Sequence, residues 1–215
     1  MKRSNKKIET IAVTALSTEV NKHDLLHPLF GTNDKTPFFD GFIEVYSDNN
    51  PSRSSWLGRI SVQIKGKGVQ NFSKREAKFP IEKEWLLAYK SEFGIIFFVV
   101  EVLKSTGDTK IFCKQLLPYD IIKLLETIKN RKPKKKDQKS KGITVKMSEL
   151  KDDDNNNLNI ICHNFLNNRK KQSHPNLLHL EQINNIEGFN FSAPLNPEIL
   201  NRSMVLLIVF HQICA

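Results

Sequence analysis

The sequence predicts a three-layer α/β domain, with a central mixed β-sheet flanked by helices, followed by a small C-terminal segment. Apolar residues recur at helical spacing near the N terminus and again around residue 120, which indicates an amphipathic helix at each place. Segments between them alternate apolar and polar residues or are continuously apolar, as strands of a sheet are. The length of 215 residues is enough for one ordinary domain and an additional segment.

The first predicted elements are a helix at residues 8–20 and a β-hairpin. A turn-rich connection with two prolines and a glycine separates the helix from the hairpin. The hairpin strands are expected at residues 38–46 and 59–65, because the polar loop between them favours a turn over regular structure.

The later elements are predicted from the same kinds of pattern. A short helical face is indicated by the spacing of Trp85, Leu86 and Tyr89, and a continuous apolar run indicates a strand that is buried on both faces. A polar turn then leads to a return strand, and Pro118 opens the closing helix. In chain order these elements are a short helix at 82–91, strands at 95–100 and 109–115, and a helix at 119–128.

Four polar side chains are expected to meet on one face of the hairpin. In the second strand, apolar residues alternate with polar ones, so a period of two places Gln63 and Lys65 on the same face. Asp40 and Glu44 occupy the polar face of the first strand, and the two polar faces coincide when the strands pair. Two carboxylates, an amide oxygen and an ammonium group would then surround one small area, which suits a hard divalent cation and an activated water.

The order of these residues resembles the PD-(D/E)xK nuclease superfamily, which has the restriction-endonuclease-like fold. In that superfamily an Asp is followed on the next strand by an acid or Gln, any residue, and Lys, and here Asp40 is followed by Gln63-Ile64-Lys65. The chain is also similar to the bacterial domain of unknown function 4365, which has Asp-x-x-Ile-Glu on one strand and Val-Gln-x-Lys on the next. Residues 40–44 and 62–65 fit both halves of that pattern, and the resemblance covers residues 5–130. The chain departs from the family at Phe38-Phe39, where Gly-Ile is usual, and at Ile8, where Gly is usual.

The resemblance implies a metal-dependent nuclease that hydrolyses DNA phosphodiester bonds in bacterial defence against foreign DNA. It implies a catalytic group of Asp40, Gln63, Lys65 and Glu44. A Glu of the first helix, here Glu9, would join Asp40 and Gln63 in holding Mg²⁺ or Mn²⁺. Glu9 can equally be a solvated carboxylate near the positive end of the helix dipole, and a neutral Gln is a weaker ligand for a hard cation than a carboxylate.

Two other functions stay open at this point. One is a catalytically silent nucleic-acid-binding or complex-forming module of the same fold, which the neutral Gln63 favours. The other is a ribonuclease, because nothing in the sequence recognises the sugar. The acidic and basic side chains of the hairpin can also be a surface charge cluster with no catalytic role.

The charge balance points to a polyanionic partner. Lys and Arg number 33 against 23 Asp and Glu, which gives a formal net charge of +10. DNA is the expected partner, with RNA as the alternative, and a second copy of the chain or a defence partner protein stays open. Basic residues after the hairpin are candidates for phosphate contacts, which give affinity without sequence information, although a solvated loop is equally compatible. These residues are Lys67, Lys74, Arg75 and Lys78.

The predicted organisation is a nuclease-like domain at residues 1–130 and two further segments. Residues 131–157 form a linker that is first basic and then acidic, with one more strand expected at 143–147. Residues 158–215 form a C-terminal segment of unassigned role, which is either an extension of this domain or part of a longer one. A membrane-spanning helix needs about 20 apolar residues, and no apolar run in the sequence is that long. The N terminus lacks the apolar core of a signal peptide. The expected location is therefore cytoplasmic, without a membrane partner.

Overall fold

The structure is a computed structural model that describes residues 4–31, 38–131, 142–151, 153 and 157–172. These residues all belong to one compact unit of the chain, which spans residues 1–174. None of its described helices is long and apolar enough to cross a membrane. In chain order the elements are α1 (Asn5–Val20), β1 (Leu26–Phe30), β2 (Gly41–Tyr46), β3 (Trp56–Val69), β4 (Glu76–Glu82), α2 (Lys83–Ser91), β5 (Ile95–Leu103), β6 (Thr109–Leu116), α3 (Pro118–Lys129), β7 (Gly142–Glu149) and α4 (Leu158–Gln172).

The seven described strands form one mixed sheet in the order β1-β2-β3-β5-β6-β7-β4. β3 and β5 run parallel, and every other neighbouring pair is antiparallel. Parallel strands need a crossover connection, and here the crossover contains β4 and α2. Helices cover both faces of the sheet. The predicted three-layer α/β fold with a central mixed sheet is therefore confirmed.

Two hydrophobic cores lie on opposite faces of the sheet, because side chains alternate along each strand. In the run 95–100 of β5, the even-numbered side chains pack with those of α1 and α4. The odd-numbered side chains of the same run pack with those of α2 and α3. All of them are fully buried, as the sequence predicts for a continuous apolar strand in the centre of a sheet.

The predicted hairpin is confirmed, since β2 and β3 pair antiparallel. Their ladder ends at Gly41, which lies opposite Val62. β3 continues to Val69, and residues 62–69 pair with β5 on the other side. The sheet therefore forks at the beginning of β2, where β3 extends beyond its hairpin partner.

Two strands lie where the sequence predicts irregular structure. β1 falls in the turn-rich connection after the first helix, and β4 falls in and after the predicted basic loop. Each contains a proline, Pro28 or Pro80, and proline argues against a central strand because it has no N–H to donate. β1 and β4 are the two edges of the sheet, where one side of the strand needs no donor. The expectation of irregular structure at residues 26–30 and 76–81 is therefore wrong, and residue 82, predicted to begin the short helix, is instead the last residue of β4.

The sheet includes residues on both sides of the boundary predicted at residue 130. The strand expected at residues 143–147 is present as β7, which lies between β6 and β4. α4 packs against β3, and its buried residues join the core beneath α1. Most of the predicted basic run falls at residues 132–141, and most of the predicted C-terminal segment falls at residues 173–215. Both lie outside the described residues.

Candidate active site

Asp40 lies at the fork between β2 and β3. Its backbone N–H donates to the carbonyl of Val62 at 2.9 Å, directly beside the last pair of the β2–β3 ladder. Its carboxylate oxygen Oδ2 accepts the backbone N–H of Ile64 at 2.6 Å and a hydrogen bond from Nε2 of Gln63. The side chain of Asp40 therefore takes the place of the next backbone acceptor along β3, and this fixes the carboxylate against the strand.

The backbone around Asp40 has an unusual conformation. Gly41 has φ +140°, and a Cβ atom at this position would lie 2.2 Å from the carbonyl oxygen of Leu29. Only glycine is compatible with that approach to β1. Phe38, two residues before Asp40, has φ +85°, a value that bulky residues rarely adopt and that is common at functional sites. The position of Asp40 thus depends on a bend that the chain holds at a conformational cost.

The charge of Asp40 is only partly compensated. Burial raises the pKa of this carboxyl above its ordinary value, while the N–H of Ile64, the charge of Lys65 and the amide of Gln63 act against burial. The charge of Glu9 adds to the increase. No hydrogen bond from the described residues reaches the second oxygen of Asp40, Oδ1. A half-buried carboxylate with one oxygen left free by the described residues is able to bind a cation, and a bound cation would counteract the effect of burial by stabilising the charged form.

Gln63 is almost fully buried beside Asp40, with 2% of its surface exposed. Because its Nε2 donates to Asp40, its carbonyl oxygen Oε1 is directed away from that bond, and no described residue donates to it. The amide therefore supports Asp40 with one end and offers a neutral oxygen with the other.

Lys65 carries a positive charge at the site without an acidic partner among the described residues. Its ammonium nitrogen lies 4.8 Å from the ring centroid of Trp85 in α2, a distance at which the face of an indole attracts a cation. This contact holds the side chain in place and leaves its charge available. An anionic substrate group is the kind of partner that would pair with it.

Glu9 approaches the fork from the opposite face of the sheet. The first turn of α1 packs closely on β3, because Gly66 has no side chain: a Cβ atom there would lie 2.9 Å from the carbonyl oxygen of Ile8. The carboxylate of Glu9 is exposed and has no ion pair among the described residues, and its charge acts on Asp40. Glu9 therefore lies near enough to influence the site electrostatically.

Glu44 is not brought to the site. It shares the polar face of the hairpin, but it lies opposite Arg59, four residues and therefore about 13 Å along the strand from Asp40. Its carboxylate pairs with the guanidinium of Arg59 at 3.2 Å and accepts the hydroxyl of Tyr46 at 3.0 Å. These contacts give Glu44 a role at the outer end of the hairpin.

Lys67 faces the same side of β3 as Lys65, but its charge is already paired. Its ammonium lies 3.3 Å from a carboxylate oxygen of Glu101 in β5, which is completely buried. The same carboxylate accepts the backbone N–H of Ser73 at 2.7 Å and its hydroxyl at 2.8 Å. Glu101 therefore fixes the loop after β3 to the end of the sheet.

The other basic candidates lie progressively further from Asp40. Lys110 of β6 donates to the carbonyl oxygens of Ser73 and Lys74, and the carbonyl of Arg75 accepts the N–H of Glu149. These bonds hold the loop beside β6 and β7, with the side chains of Lys74 and Arg75 exposed. Lys78 lies on β4, four strands away from β3 and thus about 19 Å across the sheet.

Three residues at or near the site were not among the sequence candidates. Trp85 and Tyr89 are four apart on α2, so they lie on one face of that helix, and the sequence indicated them only as an apolar helical face. Glu101 follows directly after the apolar run of β5, where a charged residue in a central strand signals a paired or functional group. That signal was available in the sequence, but the partners of Glu101, Lys67 and Ser73, come from another strand and from a loop.

The donor set fits a Mg²⁺ ion that is held mainly by water and substrate. The described residues contain no group of three or more His, Cys, Asp or Glu side chains that could hold a metal ion. Mg²⁺ does not need such a cage, because it commonly binds one or two carboxylates and keeps several waters or substrate oxygens. Oδ1 of Asp40 and Oε1 of Gln63 are hard oxygen donors of this type, and Glu9 is a further carboxylate whose charge acts on Asp40.

Comparison of the chain with protein-family models, with curated proteins and with solved structures found no match. The resemblance to the PD-(D/E)xK superfamily therefore rests on the motif residues and on their arrangement in the described part of the chain. In that arrangement Asp40 and Gln63 are hydrogen-bonded, Lys65 and Glu9 act on Asp40 electrostatically, and Glu44 stands apart.

Proposed function

We propose that the chain is a metal-dependent nuclease that hydrolyses phosphodiester bonds of DNA. The observation that supports this most is the meeting of Asp40, Gln63 and Lys65 at the fork of β2 and β3, where the ammonium of Lys65 acts on Asp40 but forms no ion pair with any described residue. The order of elements also agrees with the resemblance: a helix and an antiparallel hairpin precede a helix that leads into a strand parallel to the second hairpin strand.

Each residue has a distinct part in this proposal. Asp40 and Gln63 would hold Mg²⁺ or Mn²⁺, with Glu9 as the second carboxylate. A metal ion in this position would activate the attacking water and neutralise charge on the phosphate. Lys65 binds the scissile phosphate and stabilises the additional negative charge that develops on its oxygens during attack. Trp85 keeps the ammonium of Lys65 oriented for that contact.

The DNA-binding part of the proposal follows from charge. The net charge of +10 favours association with a polyanion, and Lys74 and Arg75 are exposed on a loop that Glu101 and Lys110 hold at the end of the sheet. These two residues are the better candidates for phosphate contacts, because Lys67 is paired with Glu101 and Lys78 lies on the far edge. A role in defence against foreign DNA rests on the family resemblance, and a cytoplasmic location is proposed from the sequence alone.

A catalytically silent nucleic-acid-binding module is the second candidate function. The observation that favours it is that the carboxylate of Asp40 already has a structural role, since it accepts the N–H of Ile64 and the amide of Gln63. A neutral residue at position 63 and the lack of a three-acid group in the described residues agree with it. Such a protein would bind nucleic acid through the same basic surface without cutting it.

The substrate panel that tests the proposal contains supercoiled plasmid, linear duplex DNA, single-stranded DNA and RNA. Each is incubated with the wild-type protein in Mg²⁺, in Mn²⁺ and in a chelator, and the Lys65→Met variant serves as the matched negative control. The proposal predicts metal-dependent cutting of DNA by the wild type alone. Cutting of RNA but not DNA would assign a ribonuclease, and binding without any cutting would assign the silent module.

A further inference from the structure

Tyr89 has a buried hydroxyl without a hydrogen-bond partner among the described residues. The side chain is completely buried in α2, and its ring contacts the rings of Phe39 and Phe97 at centroid distances of 5.8 and 6.2 Å. Buried polar groups in proteins nearly always have a partner, and those that do not call for a specific explanation. Packing accounts for the ring of Tyr89 but not for its oxygen.

The hydroxyl lies near the candidate active site. Phe39, which the ring of Tyr89 touches, directly precedes Asp40. Burial raises the pKa of the Tyr89 hydroxyl, and the charge of Asp40 adds to the increase. The hydroxyl therefore keeps its proton at all ordinary pH values and can act as a donor towards the carboxylate side of the site.

The other two tyrosines of the chain have ordinary surroundings. The hydroxyl of Tyr46 donates to Glu44 at 3.0 Å, and Tyr119 is 40% exposed, so that water can reach it. The chain has three tyrosines in all. Tyr89 is thus the one whose hydroxyl is both buried and without a partner in the described residues, and it is the one beside Asp40.

We propose that Tyr89 is a positioning residue of the Asp40 site: its hydroxyl donates a hydrogen bond to a water molecule that is held against the free oxygen Oδ1 of Asp40. The other oxygen, Oδ2, is already fixed by Ile64 and Gln63. The additional bond orients the whole carboxylate and satisfies the orphaned hydroxyl, because a bridging water is nearly equivalent to a direct hydrogen bond. The effect of Tyr89 on cleavage rests on the proposed nuclease function, whereas its coupling to Asp40 does not.

A double-mutant cycle with Tyr89→Phe and Asp40→Asn tests this coupling by urea unfolding in a chelator, without any nucleic acid. Tyr89→Phe keeps the ring and its packing, so the variant is expected to fold. The two substitutions should be non-additive by about tenfold in the unfolding equilibrium constant, since the second removes a partner that the first has already lost. The control cycle of Tyr119→Phe with Asp40→Asn should be additive.

Cleavage kinetics then test the positioning role. Tyr89→Phe should lower kcat by about tenfold, the effect of one misplaced hydrogen bond, and leave KM for DNA close to the wild-type value. An additive Tyr89–Asp40 cycle, or a Tyr89→Phe variant with the wild-type kcat, would overturn the inference. A wild-type protein that cuts nothing would overturn the nuclease function and the effect of Tyr89 on cleavage together, and this result is distinct from an additive cycle in an active enzyme.

Discussion

Lys65 and Lys67 lie two residues apart on the same face of β3, but their surroundings differ. Lys65 contacts the ring of Trp85 and has no acidic partner among the described residues. Lys67 pairs with Glu101, which is completely buried. Replacement of each by Met removes one positive charge and keeps most of the aliphatic side chain. The two variants should therefore separate catalysis from stability.

Lys67→Met should destabilise the fold by about 2 kcal/mol. Loss of one partner from a fully buried ion pair costs about 3–5 kcal/mol, but the side chain of Lys67 is 43% exposed, so water weakens this pair. Glu101 also keeps the two hydrogen bonds from Ser73. Lys65→Met should cost less than about 1 kcal/mol, because a partly exposed cation–π contact is weak and a Met–aromatic contact replaces part of it.

Urea unfolding of both variants gives the two free energies, and nicking of supercoiled plasmid in Mg²⁺ gives the activities. We expect Lys65→Met to be stable and inactive, and Lys67→Met to be less stable but active below its unfolding transition. A folded Lys67→Met protein without activity, beside an active Lys65→Met protein, would refute the assignment of Lys65. A greater loss of stability in Lys65→Met than in Lys67→Met would refute the energetic argument.

Gln63→Glu should lower stability in a chelator, because it places a second carboxylate against Asp40. Adding Mg²⁺ should raise the melting temperature of this variant more than that of wild type. An equal rise in the two proteins would show that position 63 does not contact the metal. Asp40→Asn should gain stability relative to wild type as the pH increases, since burial raises the pKa of Asp40 above its ordinary 3.8. The stability linked to protonated Asp40 is present below that value and is lost as the pH rises through the folded-state pKa. Urea titrations at acidic and neutral pH should therefore show that the difference in free energy of unfolding between the variant and wild type grows with pH. A difference that stays constant would contradict the raised pKa. The double substitution of Lys74 and Arg75 by Ala should reduce the slope of log Kd for DNA against log salt by about 2, whereas Lys78→Ala, on the far edge strand, should leave the slope unchanged; the reverse result would move the DNA-binding surface to β4.

The main features of the fold could be predicted from the sequence because local patterns determine them. Alternation along the second hairpin strand placed Gln63 and Lys65 on one face, and the structure has both beside Asp40. The run 95–100 was predicted as a strand buried on both faces, and it is. The two edge strands were missed, because Pro28 and Pro80 are compatible with a strand only at an edge, and the order of strands cannot be obtained from local pattern.

Parts of the candidate site depend on distances that the sequence pattern does not contain. A period of two correctly places Glu44 on the polar face, but it does not say that four residues of strand separate it from Asp40 by about 13 Å. Lys67 was predicted as a phosphate contact, and the sequence did not reveal that its charge is already paired. Its partner Glu101 comes from β5, and only the parallel register of β3 and β5 brings the two opposite each other. Tyr89 was interpreted as an apolar helix position, since its proximity to Asp40 arises only from the packing of α2 on the sheet.

Cleavage of supercoiled plasmid by wild type and by Asp40→Asn, with DNA binding measured in parallel, tests the central claim most directly. Asn keeps a side-chain oxygen that can accept the N–H of Ile64, so the fork should stay folded. The account predicts that the wild type cuts DNA only with Mg²⁺ or Mn²⁺, and that Asp40→Asn loses about a hundredfold or more of this rate while its affinity for DNA in a chelator is retained. An Asp40→Asn protein that cuts as fast as the wild type, or a wild type that binds DNA and never cuts it, would contradict the account.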